Sequence, residues 1–171
     1  MNQLGIRRII ILFLLLVVLQ VPMLHNWVFY GVAFPLPYVG FLLLLPHGVN
    51  RVQSMLLSAF IGLVMDLFSS TPGMHMSVSI LVAFTRPWLV DTITDATDVD
   101  RELSLSYLGF VRFVTYILPM VLLHHFVLFA LENEGFERAG LLLTKVGWSA
   151  LVSFGFILVA EFMTTNRLGR E

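Results

Sequence analysis

Only a few side chains in this chain could move a proton or hold a charge within an apolar setting: Asp66, His75, the neighbours His124 and His125, and Glu132. An ionisable group among apolar runs is costly unless it is paired, hydrated or near an interface, which makes each of them a candidate functional residue. Asp66 and His75 flank the turn Thr71-Pro72-Gly73. If the flanking helices fold as an antiparallel hairpin, the acid and the imidazole share one membrane level. They can then meet directly or through water, or His75 can stand near the interface without a partner. His124 and His125 suit a polar packing element, an interface anchor or a proton relay. Glu132 follows His125 by two helical turns and returns to nearly the same face, but at about 10 Å it is too far for a direct bond.

Other chemistries lack their residues. The zinc-protease pattern His-Glu-x-x-His is absent, and with no cysteine there is no thiolate nucleophile and no Cys-ligated metal. Asp95, Asp98 and Asp100 resemble a calcium loop at first sight, but the glycine and terminal glutamate of an EF-hand are missing. No serine has a plausible base beside it, and no aspartates pair within an apolar run. No metal and no cofactor is expected.

The elements that must carry these groups are membrane helices. The chain is 58% hydrophobic and 12% charged, with a mean hydropathy of +0.89, against roughly 45–50% apolar and about 25% charged in soluble domains. A chain of 171 residues cannot bury that much apolar surface in a water-soluble core, so its solvent is lipid. The net charge of −1 and the lack of a basic face argue against nucleic acid. The expected architecture is an all-α, single-domain bundle (1–171) of six transmembrane helices. They cover approximately Ile9–Val21, Val28–Leu45, Val52–Phe68, Met74–Val90, Leu103–Leu131 and Leu141–Phe162. The second run, with Pro35 and Pro37, is the weakest, because an interior proline frees a backbone acceptor that something nearby must satisfy.

On the third helix Ser54, Ser58, Gly62 and Asp66 recur every four residues and share a face. His75, Ser79 and Ala83 repeat the spacing on the fourth, which Arg86 closes before Pro87. Small residues so spaced let another helix approach closely, so this face should look at protein. Arg86 is placed to meet Asp91 or the acidic loop beyond it. Counting arginines, six crossings put Arg7, Arg8, Arg51, Arg86, Arg101, Arg112, Arg167 and Arg170 toward one side and leave Arg138 and Lys145 on the other. By the positive-inside rule both termini are cytoplasmic and the Asp66–His75 turn is outside.

The run Ala59 to Pro87, AFIGLVMDLFSSTPGMHMSVSILVAFTRP, resembles the signature region of the bacterial rod shape-determining membrane protein family MreD. The matching features are the Gly-x-x-x-Asp-Leu-Phe-Ser helix end, the Pro-Gly-Met-His turn and the Ala-Phe-x-Arg-Pro exit. PLPYVGFLLLLP before it and HHFVLFALE after it are similar to one branch of that family. The resemblance implies a non-enzymatic component of the cell-elongation machinery in the bacterial inner membrane. It would work with an MreC-like protein, MreB, RodA and its penicillin-binding transpeptidase, in contact with membrane lipid. Ser58, Gly62, Asp66, Pro72, Gly73, His75, Ser79 and Arg86 are the expected packing or partner residues, and His124, His125 and Glu132 a polar cluster. The six-helix arrangement is also similar to the substrate-binding subunits of energy-coupling-factor vitamin transporters, which supplies the alternative function. An intramembrane enzyme is the third reading.

Overall fold

The computed structural model describes residues 3–18, 20, 28, 31–94, 103–132 and 139–168, without side chains for 3–6 and 165–168. Asp95, Asp98, Asp100, Arg101, Arg138 and Arg170 lie outside the described residues. Among the described residues the protein is helical. Helix α1 (Gln3–Phe13) continues into a π-helical turn (Leu14–Val18), and then follow α2 (Tyr38–Leu43), α3 (Arg51–Ser69), α4 (Met74–Ile93), α5 (Leu105–Glu132) and α6 (Ala139–Leu168). Helices α3, α4, α5 and α6 are long and apolar enough to cross a membrane.

Three local signals shape the hairpin. Asn50 caps α3 by accepting the Val52 amide at 2.9 Å. Ser70, with φ at +55°, ends the helix in the left-handed region, and Gly73, at φ +81°, opens α4 in a conformation that a Cβ would strain. Helix α4 does not stop at Pro87: it runs through that proline to Ile93. Asp91, one residue past the expected helix end at Val90, therefore lies in its last turn, 3.7 Å from His47. Helix α5 bends near its start, where Gly109 adopts φ +73°.

The second apolar run departs most from expectation. Residues 31–37 are not helical, and only Tyr38–Leu43 form a short helix. Every residue from Pro37 to Pro46 is buried. The segment packs against α1, α4 and α5 and is tied to α6 by two hydrogen bonds. Buried irregular backbone must find its hydrogen-bond partners within the protein, and here side chains supply them. The Phe34 amide donates to Ser149 Oγ (2.9 Å), that of Leu36 to Ser153 Oγ (2.8 Å) and that of Tyr38 to Gln20 Oε1 (2.8 Å). At the other end, Tyr116 donates to the Leu43 carbonyl at 2.8 Å. Arg86 donates to the carbonyls of Leu45 and Pro46. This corrects the expected partner of Arg86: the guanidinium is buried and caps the threaded segment instead of meeting Asp91.

The apolar exterior is what a lipid solvent permits. Leu56, Phe60, Leu63 and Leu67 of α3 are exposed. Ser54, Ser58, Gly62 and Asp66 on the opposite side are buried.

Candidate functional site

Two polar constellations stand at the end of the bundle that carries the α3–α4 turn, and one at the opposite end. The first is the turn itself. Gly62 lets α4 lie directly on α3: a Cβ there would come 2.5 Å from Met76 Cα and 2.7 Å from the His75 carbonyl oxygen. One helical turn later the Asp66 carboxylate reaches across this contact. Oδ1 accepts from the His75 amide (2.8 Å) and the Thr71 hydroxyl (3.0 Å), and Oδ2 from the Met76 amide (3.0 Å). Gly73, at the N-cap of α4, offers no side chain to the free amides of the first turn. Asp66 supplies the cap from the neighbouring helix, with its charge at the positive end of the α4 dipole. The two residues do meet, but through the main chain of His75 and not through its ring.

The His75 ring belongs to the second constellation, which is centred on Tyr38. The phenol oxygen lies 2.7 Å from His124 Nε2, 3.1 Å from His75 Nδ1 and 3.3 Å from Ser79 Oγ. A phenol donates one hydrogen bond and accepts two. The shortest contact suits the donated bond to His124, leaving His75 Nδ1–H and the Ser79 hydroxyl to donate to Tyr38. His124 Nδ1 is then buried with no partner. His125 bonds elsewhere: Nδ1 donates to the Val121 carbonyl (2.8 Å), so Nε2 accepts from Ser153 (3.1 Å). Ser153 in turn accepts the Leu36 amide. The two histidines are fully buried, so they are interior braces of the threaded segment rather than interface anchors. Glu132 is not part of their cluster. It is exposed and lines a cavity of about 180 Å³ with Gln20, Phe34, Pro35, Leu36, Ser69, Thr71, Met74, His75, Leu128 and Phe129. Beside that cavity Lys145 Nζ lies 5.5 Å from the Phe34 ring and 5.8 Å from that of Phe129, within cation–π reach.

The third constellation joins α1 to α6. Arg8 donates to both oxygens of Glu161, at 3.0 and 2.8 Å, and Glu161 Oε1 also accepts the Leu105 amide at 3.1 Å. Both charges are buried. Removing one partner of such a pair strands the other in a low-dielectric interior.

Of the residues expected from the sequence, the fold gathers Gly62, Asp66, Gly73 and His75 at the hairpin, and His75, Ser79 and His124 at Tyr38. Ser58 is buried on the α3 face, with no partner for its hydroxyl. Pro72 is exposed in the turn. Arg86 and Glu132 stand apart from both groups. Sequence reasoning missed Tyr38, Gln20, Thr71 and the Arg8–Glu161 pair. The available signals were the prolines on either side of Leu36, which free backbone groups, and the isolated Gln20 and Glu161 in apolar runs. Among the described residues no group of three His, Asp or Glu side chains could hold a metal ion. Comparison with protein-family models, with curated proteins and with solved structures finds no match for this chain.

Proposed function

We propose that this protein is a non-enzymatic membrane component of the bacterial cell-elongation machinery, joining peptidoglycan synthesis to rod shape by binding an MreC-like protein. Through it the chain would associate with MreB, RodA and a penicillin-binding transpeptidase in the inner membrane. The observation that carries the reading is the state of Asp66. Its carboxylate is engaged by two backbone amides and a hydroxyl, and a Gly62 contact that admits no Cβ lies one turn away. The residues on which the family resemblance rests thus build a rigid corner suited to holding a binding surface in one shape. The cavity of about 180 Å³ is smaller than the roughly 300–1,000 Å³ of sites for drug-sized ligands, which weighs against the vitamin-transport alternative.

In the proposed topology the chain crosses six times, in an arrangement similar to the energy-coupling-factor subunits, with both termini in the cytoplasm. The threaded segment makes the second crossing. Its Phe34 end lies at Ser149, beside the Lys145 level, and its Pro46 end lies at Arg86. Arg112 approaches the α4 terminus at Ile93, and Arg51 lies over Trp88. These arginines share the end of the bundle that the positive-inside rule assigns to the cytoplasm. The Asp66 turn is then outside. Affinity purification of the tagged full chain from native membranes tests the function: an MreC-like protein is expected in the eluate, and a transport ATPase in its place refutes the proposal. A topology reporter fused after Glu171 should be active only in the cytoplasm.

A further inference from the structure

Lys145 and Glu132 carry opposite charges at the same end of the bundle and do not pair with each other. Among the described residues the ion pairs are Arg8–Glu161 and His47–Asp91, and neither Lys145 nor Glu132 belongs to one. Lys145 is held by aromatic rings instead. Phe34 and Phe129 pack edge to face with centroids 5.9 Å apart, and the ammonium rests against both. That contact positions the charge without neutralising it, so the ammonium still favours an anion. Glu132 stands one turn beyond Phe129, exposed, and lines the cavity that those two rings wall. As the last residue of α5 it lies at the negative end of the helix dipole, beside the free carbonyls of the last turn. A carboxylate there favours a cation. On α6 the face that continues from Lys145 is apolar: Trp148, Val152, Gly155 and Val159 follow at helical spacing. Trp148 and Val159 are more than half exposed, and nothing lies within 4 Å of a Cβ at Gly155.

We propose that this corner of α5 and α6 binds one phospholipid whose phosphate is joined by a short link to a primary ammonium group, the phosphatidylethanolamine headgroup. The phosphate accepts from the Lys145 ammonium, the headgroup ammonium donates to the Glu132 carboxylate, and an acyl chain lies along the face from Trp148 to Val159. Two separated charges of opposite sign call for a ligand that carries both. A purely anionic lipid leaves Glu132 unanswered, and the quaternary nitrogen of a choline headgroup has no N–H to give it. A lipid fits better than a water-borne zwitterion because α5 ends and α6 begins here, at headgroup depth, and the exposed Trp148 ring marks the membrane–water boundary. The inference does not depend on the role in cell elongation.

The test is native mass spectrometry of the full chain in detergent micelles, with phosphatidylethanolamine, phosphatidylcholine and phosphatidylglycerol of the same acyl chains added in equal amounts. The ethanolamine adduct is expected to exceed each of the others by roughly two- to fivefold, the effect of one exposed ion pair. Glu132→Gln should abolish that preference, and Lys145→Gln should weaken binding of all three lipids. Arg51→Gln, at the opposite end of the bundle, should change neither. Both test variants alter side chains with solvent access, so the fold is retained. Equal adducts of the three lipids in the wild-type protein mark annular lipid only and overturn the proposal, as does an ethanolamine preference that survives Glu132→Gln. Glycerophosphoethanolamine has the same charges without acyl chains. At equal concentration it should leave the lipid adduct intact, and displacement by it overturns the assignment to a lipid.

Discussion

Gly62→Ala is the sharpest perturbation of this fold, because it adds one methyl group at a place where only backbone opposes it. The new Cβ would lie 2.5 Å from Met76 Cα and 2.7 Å from both the Met76 nitrogen and the His75 carbonyl oxygen. Carbon atoms pack at about 3.5–4.0 Å, so α4 must retreat by about 1 Å. The Asp66 bonds to the His75 and Met76 amides now span 2.8 and 3.0 Å; stretched by that amount they leave the hydrogen-bonding range. Bonds to a charged acceptor contribute about 1.5–3 kcal/mol each, so losing two costs about 3–6 kcal/mol. Retaining them by distorting the backbone instead incurs the overpacking penalty of about 1–3 kcal/mol. The cheaper route sets the floor, so the expected destabilisation is at least about 1–3 kcal/mol. Reversible unfolding in mixed detergent micelles measures it, with Gly147→Ala and Gly155→Ala as controls. Nothing lies within 4 Å of a Cβ at those two sites in α6, and alanine there should be neutral or stabilising by up to about 1 kcal/mol. A Gly62→Ala protein as stable as the two controls would refute the close-contact argument.

Other substitutions probe the remaining constellations. Asp66→Asn should cost about 2–3 kcal/mol, because its amide would turn a donor toward one of the amides that the carboxylate now accepts; thermal unfolding checks it. Glu161→Gln should destabilise by about 3–5 kcal/mol by removing the carboxylate charge that the buried Arg8 guanidinium pairs with, and the double variant Arg8→Met, Glu161→Leu should recover much of that loss in the same assay. Tyr38→Phe removes the oxygen shared by His75, Ser79 and His124 and should cost about 1–3 kcal/mol, with new imidazole NMR shifts for both histidines. Ser153→Ala leaves the Leu36 amide unpaired, so hydrogen exchange at Leu36 should accelerate by at least tenfold while the amides of mid-α3 stay protected.

The sequence made the class of protein legible, because apolar runs with so few charges have no other stable solvent than lipid. It also made the α3–α4 hairpin legible in detail. The four-residue spacing of Ser54, Ser58, Gly62 and Asp66 fixes a face whatever the rest of the fold does, and that face is buried, with Gly62 and Asp66 directly against α4. Helical periodicity is a local property, so local residues suffice to state it. The run Val28–Leu45 is not one continuous helix, and hydropathy does not show this because it records side chains and says nothing of where backbone amides find partners. Its non-helical part survives on Gln20, Ser149 and Ser153, residues distant in the chain.

The same limit explains Arg86 and Tyr38. Charge sign alone pointed Arg86 toward Asp91, but a buried guanidinium can equally be satisfied by carbonyl oxygens, and the end of the threaded segment supplies two. Nothing near Tyr38 in the chain announces that two histidines from α4 and α5 converge on its hydroxyl. Pairings set by periodicity and by short turns belong to the sequence. Those that satisfy a buried polar group from a distant helix exist only once the helices have packed, since until then each such group is paired with water or left to whichever neighbour the chain provides.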